Sequence, residues 1–552
     1  MTKQQKNKNC QKCGQKFVIS ENDLKLYEKM QVPEPEWCPN CRLEYGLAFW
    51  AFGKFNIRQS DLSGEKIISI FPPEADFPVY HSKEWHSDKW EAPEMDLDLD
   101  KPFFQQLKEL QSKSPHPHQL GSNNVNCDYC DDVWNSKNCY LCRSLANGEN
   151  LLYSYRVIGC RDSIDVTYSY NLERSYDAVY CFDSYNIKYA FNSRNCSHSS
   201  FIYDCRNVDN CFMCWNLRNK SYCILNKQYS KEEYEKKIKE YNLGSYQVVQ
   251  ELKKKFADIL QKEAIHRENI DFKTVDCTGN YIDESKNCHD CYFLETSENC
   301  SHVFRGLKNK DCIDSPGLFG CELSHASMQI ADSYNTKNSM YAVNCRDSEY
   351  LDFCYDCEKC FGCVGLKKKK YCILNKEYSP EEYESLVKKL KEKIKEEGKE
   401  SHNFFPLNMA LLGYNLSLAE TYYPKTREEV EKMGGRWDEV ETVKNTQREI
   451  IPFIDDIKDV SDDVLQKGFQ CEVSGRPFSI TKDELKFYRQ NNIPLPHHYP
   501  DERTKTRLKA MTGPFPRQEH CHFCQKEITT YYPKNWGYEK IACKQCYNKE
   551  VN

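Results

Sequence analysis

Long apolar runs and an excess of one charge sign are both missing from this sequence. No stretch of about 18 apolar residues occurs, so no membrane-spanning helix is expected. Lys plus Arg number 77 and Asp plus Glu 83, a net charge of −6, which excludes a generally basic protein that holds nucleic acid by charge alone. The polar N-terminal residues include no apolar signal-peptide core. These absences predict a cytoplasmic protein, in which thiols stay reduced.

Cysteine is the residue that the sequence has in excess. The chain carries 32 cysteines among 552 residues, and in a reducing compartment such a number points to metal before disulfides. They form clusters: four at 10–41, two dense bands at 127–223 and 277–372, a single Cys471, and four at 521–546. The segments between the clusters contain none, which predicts separate modules.

The two dense cysteine bands are copies of each other. At a constant offset of 149 residues, Asn138-Cys139 matches Asn287-Cys288, and YCILNK at 222–227 matches YCILNK at 371–376. Each copy runs into a predicted helix that begins with a serine N-cap and has a glutamate three residues later, at Ser230 and at Ser379. The sequence therefore predicts a tandem duplication with helical closing segments.

A finer period lies inside each copy. Motifs such as SKNC, SRNC and SENC recur at steps of about 10–12 residues, with short aromatic and β-branched pieces between them. Helical periodicity is absent and proline is scarce. We interpret this pattern as a parallel β-solenoid with two steps to a turn, in which asparagines of successive coils form amide ladders. The predicted fold class is mainly β: a duplicated parallel β-solenoid with helical closers, flanked by zinc-ribbon modules.

The solenoid cysteines allow more than one interpretation. Free cysteine packs as a small hydrophobe, and leucine, isoleucine and valine are sparse here, so a structural ladder of buried thiols is favoured. The alternative is metal, because CxxC pairs recur and Cys354, Cys357, Cys360 and Cys363 form a run. That run has a spacing like that of an iron–sulfur loop, although its last spacing differs and no proline follows.

Both ends of the chain carry the spacing of a structural zinc site. Two CxxC pairs near each terminus supply four thiolates, which can surround one zinc ion tetrahedrally and leave no open position. We predict two structural zinc sites, with the ligands Cys10, Cys13, Cys38 and Cys41, and Cys521, Cys524, Cys543 and Cys546. No catalytic residue and no organic cofactor is predicted.

A third module matches the N-terminal one but has lost its ligands. At an offset of 461 residues Cys10 matches Cys471, while Ser474, Tyr499 and Glu502 stand where the other three cysteines would be. We predict that this module keeps its shape by packing and binds no metal. His497 and His498 are the only nearby replacement ligands.

These patterns give the following predicted organisation. The segments are an N-terminal zinc ribbon at 1–58, an α/β connector at 59–126, solenoid copies at 127–228 and 271–378 with a helical segment at 229–270 between them, a helix at 379–400, a connector at 401–467, the degenerate module at 468–510 and a C-terminal zinc ribbon at 511–552.

The arrangement resembles a family of large zinc-ribbon proteins from small-genome, candidate-phylum bacteria. The matching pieces are CxxCGxxF…CPxCR from Cys10 to Arg42, SGEKIIS and VYHSKEWHSDKW within 63–90, the two YCILNK closers, TYYPKTREEVEKMGGRW at 421–437 and the tail around Cys546. The family pattern has cysteine where Ser60 stands and a full cysteine set in the penultimate module, so the resemblance implies that zinc has been lost at both. It implies an architecture and no particular activity.

Three functions are compatible with these features. The first is a zinc-binding scaffold whose terminal modules hold RNA, the ribosome, DNA or a protein partner, with RNA favoured over DNA. Its candidate nucleic-acid contacts are Lys12, Lys16, Arg42, Arg503, Lys505 and Arg507. The second is a carbohydrate-active or other enzyme that uses aspartates on a solenoid face. The third is a thiol or metal redox protein, which requires accessible thiolates of low pKa.

Overall fold

The computed structural model describes residues 5–397, 404–439 and 447–551. Among the residues it describes, no helix is both long enough and apolar enough to cross a membrane. The N-terminal segment contains β1 (Lys6–Asn9), β2 (Lys16–Ile19), α1 (Glu21–Met30), α2 (Pro39–Leu47), β3 (Asn56–Gln59), β4 (Lys66–Ser69), β5 (Val79–Tyr80), α3 (Ser82–Trp85), α4 (Phe103–Lys113) and β6 (His116–Pro117).

The first solenoid and the segment that follows it come next in the chain. The solenoid strands are β7 (Gly121–Ser122), β8 (Val125–Asp128), β9 (Asp131–Trp134), β10 (Lys137–Tyr140), β11 (Arg143–Ala146), β12 (Glu149–Leu152), β13 (Tyr155–Ile158), β14 (Arg161–Glu173), β15 (Tyr176–Val179), β16 (Phe182–Tyr185), β17 (Lys188–Phe191), β18 (Ser200–Tyr203), β19 (Asp209–Trp215), β20 (Ser221–Ile224) and β21 (Lys227–Gln228). They are followed by α5 (Lys231–Ile238), α6 (Tyr246–Lys262) and β22 (His266–Arg267).

The second solenoid and the C-terminal segment complete the chain. The solenoid consists of β23 (Asp271–Phe272), β24 (Val275–Asp283), β25 (Lys286–Glu295), β26 (Phe304–Leu307), β27 (Pro316–Phe319), β28 (Ile330–Ala331), β29 (Tyr334–Lys337), β30 (Arg346–Glu349), β31 (Glu358–Phe361), β32 (Lys370–Ile373) and β33 (Lys376–Glu377). After it come α7 (Pro380–Glu396), α8 (Ala419–Tyr422), α9 (Arg427–Lys432), β34 (Phe469–Gln470), β35 (Pro477–Phe478), α10 (Lys482–Asn491), α11 (Pro500–Lys509), β36 (Arg517–His520), β37 (Glu527–Thr530), β38 (Ile541–Ala542) and α12 (Lys544–Val551).

Two compact units are built from segments that are not contiguous in sequence. The first unit joins the N-terminal segment up to His118 with Asn269–Glu439, and therefore contains the second solenoid. The second unit joins Gln119–Glu268 with the C-terminal segment, and therefore contains the first solenoid. Each solenoid is thus packed with terminal modules that lie far from it in the sequence.

The solenoid coil is 12 residues long in both units. Strands pair in parallel with a register of 12, as Leu145 with Val157 and Thr336 with Ser348. Every third residue adopts a left-handed backbone, for example Asn135, Asn138 and Leu141 with φ of 51–54°. Each such corner turns the chain, so four three-residue sides close one coil. The predicted solenoid is confirmed, but one step makes a full turn rather than half of one.

The recurring asparagines occupy these left-handed corners. Asparagine and aspartate tolerate this conformation better than most residues because their short polar side chains hydrogen-bond locally. Their side chains also bond along the solenoid axis: Asn126 donates to Asn138 at 3.2 Å, Asn138 to Asn150 at 2.9 Å, and Asn150 to Asp162 at 2.7 Å. The predicted amide ladders are therefore present.

The interior of each solenoid is a column of small side chains in which cysteine predominates. Buried thiols donate to a backbone carbonyl of their own coil, and most donate also to one of the next coil, as Cys142 does to Tyr140 and Leu151, both at 3.4 Å. Serines in the same columns bond in the same way, Ser136 donating to the carbonyl of Trp134 at 2.8 Å. The cysteines fill the core and satisfy their own hydrogen bonds, as the structural ladder predicts.

The C-terminal end of each solenoid is closed by a short antiparallel strand and a helix. β21 folds back on β20 and β33 on β32. The capping boxes predicted for the two helices are present, with Ser230 and Glu233 on α5 and Ser379 and Glu382 on α7. Both helices begin directly after the serines that the sequence predicts as N-caps, and Tyr234 of α5 is buried.

Candidate metal centres

The N-terminal cysteines are brought together by a hairpin and a helix, residues 6–47, which we call the first ribbon. The turn between β1 and β2 is closed by two hydrogen bonds, from the Cys10 amide to Gln15 and from the Gly14 amide to Cys10, both 2.8 Å. Gly14 has φ of 76°, which a residue with a Cβ adopts only under strain. Cys38 is the N-cap of α2, so Cys41 lies one turn along the same helix.

The four sulfurs of the first ribbon have the geometry of one metal ion. The Sγ atoms of Cys10, Cys13, Cys38 and Cys41 all lie within 4.8 Å of one another. Cys13 and Cys38 are 3.8 Å apart between sulfurs, which is the edge of a tetrahedron with metal–sulfur bonds of about 2.3 Å. The Cys38 amide donates to Cys10 Sγ at 3.2 Å. The residues present therefore fit a closed four-cysteine metal site.

The electrostatics of this site favour the thiolate. The hydrogen bond from Cys41 lowers the pKa of Cys38 to about 5, and burial opposes that shift only in part. The same contact raises the pKa of Cys41, so the thiols share protons when no metal is bound. A metal cation held by these four cysteines would replace the protons, because the thiolate is the form that binds metal.

The C-terminal cysteines form an equivalent centre in residues 517–551, the fourth ribbon. Cys521, Cys524, Cys543 and Cys546 have their sulfurs within 4.8 Å of one another, and those of Cys524 and Cys543 are 3.8 Å apart. Burial opposes ionisation of Cys521, but backbone amides led by that of Cys524 lower its pKa to about 6. Among the described residues these are the two groups of donors close enough to hold a metal ion.

The degenerate module, residues 469–509 or the third ribbon, keeps the turn without the metal ligands. The Cys471 amide donates to Arg476, and the Gly475 amide to Cys471, each at 2.9 Å. His497 does not replace a ligand, because its ring is stacked between Tyr246 and Phe453 at 3.4 and 3.8 Å. The packing of side chains holds this module in its shape.

The structure shows a further degenerate module that sequence reasoning left within a connector. In residues 56–85, the second ribbon, the Ser60 amide donates to Glu65 and the Gly64 amide to Ser60 at 2.8 Å, the same turn as in the first ribbon. Ser60 and Ser63 stand at the first two ligand positions, and His81 and Glu84 are the N-cap and N3 residues of α3, the places that Cys38 and Cys41 have on α2. Ser60 Oγ donates to Glu84 at 2.5 Å and accepts from the His81 amide at 3.3 Å. The SxxSG spacing, identical to CxxCG, is the signal that could have revealed it.

Each unit therefore holds one complete and one degenerate ribbon, in opposite order. The first unit has the four-cysteine set in its first ribbon and hydrogen-bonded replacements in its second. The second unit has lost the set in its third ribbon and keeps it in its fourth. At the common offset of 461 residues, Cys10 matches Cys471 and Ser60 matches Cys521.

The first ribbon is attached to the second solenoid by buried charges. Arg42 donates to Asp314 at 2.6 Å, and Tyr27 donates to the other oxygen of Asp314 at 2.6 Å. Asp23 accepts from Ser301 at 2.5 Å and lies 3.5 Å from His302. Burial opposes ionisation of Asp23, but His302 and Ser301 lower its pKa far below the usual range.

The third ribbon is attached to the first solenoid by the same arrangement. Arg503 and Arg507 donate to the two oxygens of Asp165 at 2.9 and 2.7 Å. Glu484, which matches Asp23, accepts from Tyr153 at 2.9 Å and from Tyr488 at 2.8 Å. All of these side chains are nearly inaccessible to water.

The predicted nucleic-acid residues are thus divided between two environments. Arg42, Arg503 and Arg507 are occupied by solenoid aspartates and are not presented to a partner. Lys12 bonds Glu44 at 3.1 Å and lies over the ring of Trp37, and Lys505 pairs with Glu502 at 2.9 Å. Lys16 is exposed on β2. The six side chains do not form one basic surface in either unit.

The aspartates considered for catalysis have structural partners. Asp183 and Asp347 accept from asparagines of the corner ladders at 2.8 and 2.6 Å. Asp204 is buried against Arg218 and Tyr547. The cavity between α1 and the second solenoid measures about 170 Å³, below the roughly 300–1,000 Å³ of most small-molecule sites.

Comparison with known proteins gives no match for this chain, either to a protein-family model or to a curated protein. The assignment of a role therefore depends on the geometry of the two cysteine centres and of the ribbon–solenoid contacts.

Proposed function

We propose that this chain is a zinc-dependent scaffold, in which one zinc ion per unit fixes a ribbon and buried ion pairs hold the ribbons against the solenoid walls. The single observation that carries the proposal is the pairing of a closed four-cysteine centre with a buried ribbon–solenoid contact. A centre with four thiolate ligands has no open coordination position, so zinc there supplies folding energy rather than catalysis.

A protein is the partner that fits best. The exposed columns of the solenoids carry lysine and glutamate in alternation, with Lys137–Glu149 at 3.5 Å, Lys286–Glu298 at 3.6 Å and Lys370–Glu358 at 2.7 Å. Such pairs neutralise each other and offer no continuous positive track for phosphates. Three of the six side chains predicted to contact nucleic acid are buried in ion pairs, so they are not available to bind RNA.

The proposal is tested by removing zinc and following hydrogen exchange. Chelation of the purified protein should abolish protection in α1, α2 and α12, while the interior strands β11 to β19 stay protected. Unchanged protection in α1 and α12 after the metal has left would refute a zinc-dependent scaffold. The matched comparison is α10 of the third ribbon, which has no metal centre and should keep its protection.

Partner class is tested separately by titrating a single-stranded oligoribonucleotide at about 0.15 M salt, where counterion release already weakens purely electrostatic binding. Weak binding that does not change in a Lys12→Ala, Lys16→Ala double variant supports a protein partner. Tight binding that this double variant abolishes would replace it with RNA.

A further inference from the structure

Two solenoid cysteines differ from all the others in their exposure. Of the cysteines between 127 and 372, only Cys127 and Cys277 are partly exposed, and the rest are buried. Both lie in the first coil of their solenoid, each two residues after an exposed valine: Val125 is 55% exposed and Val275 61%. The same feature therefore occurs twice, at equivalent places in two independently packed units.

The first coil is also the open end of each solenoid. Among the described strands β8 pairs only with β10, and the start of β24 pairs only with β25. The opposite end is closed by β21 and α5, or by β33 and α7. A strand held on one side has more freedom to move than one paired on both sides. The open end is the place where solvent and small reagents can reach the sulfur column.

Each of these cysteines faces a second thiol in register. Cys127 has Cys139 as its Cα partner in the next coil, and Cys277 has Cys288. Neighbouring strands lie about 4.8 Å apart, inside the roughly 4.4–6.8 Å Cα separation that disulfides span. A disulfide also needs Cβ atoms about 3.5–4.5 Å apart, and the one-sided pairing of the first coil leaves its cysteine free to approach the inner one.

The inner sulfur of each pair is the better nucleophile. A hydrogen bond from Cys127 is the main cause that lowers the pKa of Cys139 to about 4, and a hydrogen bond from Cys277 lowers that of Cys288 to about 4. The outer sulfurs have raised pKa values for the same reason. Each pair thus combines an accessible outer thiol with an inner one that ionises readily.

We propose that Cys127–Cys139 and Cys277–Cys288 are peroxide-sensitive thiol pairs, one at the open end of each solenoid. The two sulfurs of a pair share one readily lost proton. When that proton lies on the inner sulfur, hydrogen peroxide oxidises the exposed outer thiolate to a sulfenic acid, and the hydroxide that is released takes up the proton as one water. The inner thiolate then attacks the sulfenic sulfur, a proton adds to the departing hydroxyl, and a second water leaves as the S–S bond forms. Two thiols lose two electrons, and one peroxide is reduced to two waters.

The oxidised form closes the open end covalently. The first coil, which is otherwise held by hydrogen bonds on one side, becomes tethered to the second. This function is independent of zinc, since the four sulfurs of each metal centre lie in other modules.

The proposal is tested on zinc-loaded protein treated with hydrogen peroxide, then alkylated, digested and mapped by mass spectrometry. Before oxidation, Cys127 and Cys277 should be alkylated at least about tenfold faster than other solenoid cysteines. After oxidation, disulfide-linked peptides should join Cys127 to Cys139 and Cys277 to Cys288. The matched control is Cys360–Cys372, which is also in register but buried at the closed end and should remain reduced.

The variant Cys139→Ser distinguishes disulfide formation within the pair from non-specific oxidation of Cys127. Serine is tolerated in this column, because Ser163 lies two coils further on in the same column. Its hydroxyl donates to the backbone carbonyl of Arg161 at 2.7 Å. In this variant Cys127 should stop at a sulfenic acid that dimedone traps, while the second pair still forms its disulfide. The proposal is overturned if both outer thiols react no faster than buried ones, or if wild-type Cys127 passes to sulfinic acid without a linked peptide.

Discussion

Arg42 and Asp314 form a buried ion pair, with the guanidinium 2.6 Å from the carboxylate, that joins the first ribbon to the second solenoid. Arg503 and Asp165 form its counterpart in the other unit at 2.9 Å. The arginines are related by an offset of 461 residues and the aspartates by 149, so both the ribbon and its docking place were duplicated. Lys337 donates to the carbonyl of Met30 just as Lys188 does to Asn491.

The Arg42–Asp314 pair should be essential for docking of the first ribbon. Arg42→Ala leaves a carboxylate that is only 3% exposed without its main partner, a situation that typically costs about 3–5 kcal/mol. We expect α1 to lose hydrogen-exchange protection while the metal content stays unchanged. Lys25→Ala, which removes an exposed lysine of the same helix, is the control. Retained protection in Arg42→Ala would show that docking depends on other contacts.

Docking of the first ribbon should also depend on pH. Burial opposes protonation of His302, but the hydrogen bond and charge of Asp23 raise its pKa. A raised histidine pKa gives stability that is complete below about 6.5, the ordinary value, and is lost as pH rises through the folded pKa. Asp23 acts in the opposite sense, since its lowered pKa gives stability above about pH 3.9.

The second unit provides the control for this pH dependence, because Tyr153 takes the place of His302 and donates to Glu484. Exchange protection of α1, corrected for intrinsic rates, should be lower at a pH well above about 6.5 than at a pH below it, and protection of α10 should not fall for this reason. His302→Gln should remove the fall in α1. A wild-type α1 that is equally protected at both pH values would contradict the role given to His302.

The left-handed corners should discriminate between side chains by shape. Asn138 has φ of 54°, where a β-branched residue is strained by about 1–2 kcal/mol. Asn138→Val should therefore destabilise the second unit by about that amount more than Asn138→Gly, although both lose the same ladder amide. The free energies of unfolding in urea measure the difference. If both variants lose the same free energy of unfolding, asparagine stabilises this corner only through its ladder hydrogen bond.

The sequence was most informative where one residue type repeats. The Cys, Ser and Asn columns come directly from the 12-residue coil, and the CxxC spacing identified both metal centres. The number of steps per turn was misjudged because the buried positions recur at every third residue, as Cys139, Cys142 and Leu145 do, and cysteine and serine share these positions with apolar residues. Asn138 and Leu141 are both corners, and only the first has a side chain that suggests it.

The docking contacts were beyond sequence reasoning because their partners are far apart in the chain. Arg42 and Asp314 are separated by 272 residues, and Arg507 and Asp165 by 342. A basic residue near a predicted metal ligand suggests an exposed patch, whereas Arg42 fills a buried position opposite an aspartate. The spacing of residues did not reveal the second ribbon because serine, histidine and glutamate replace its cysteines, although the family resemblance implied a lost metal ligand at Ser60.

Metal content per chain tests the account most directly. The natively purified protein should contain two zinc ions, Cys13→Ser and Cys524→Ser one each, and the double variant none. Ser63→Ala and Ser474→Ala, which change the matching positions of the degenerate ribbons, should keep both ions. A wild-type chain without stoichiometric zinc, or a double variant that still holds two ions, would contradict the account.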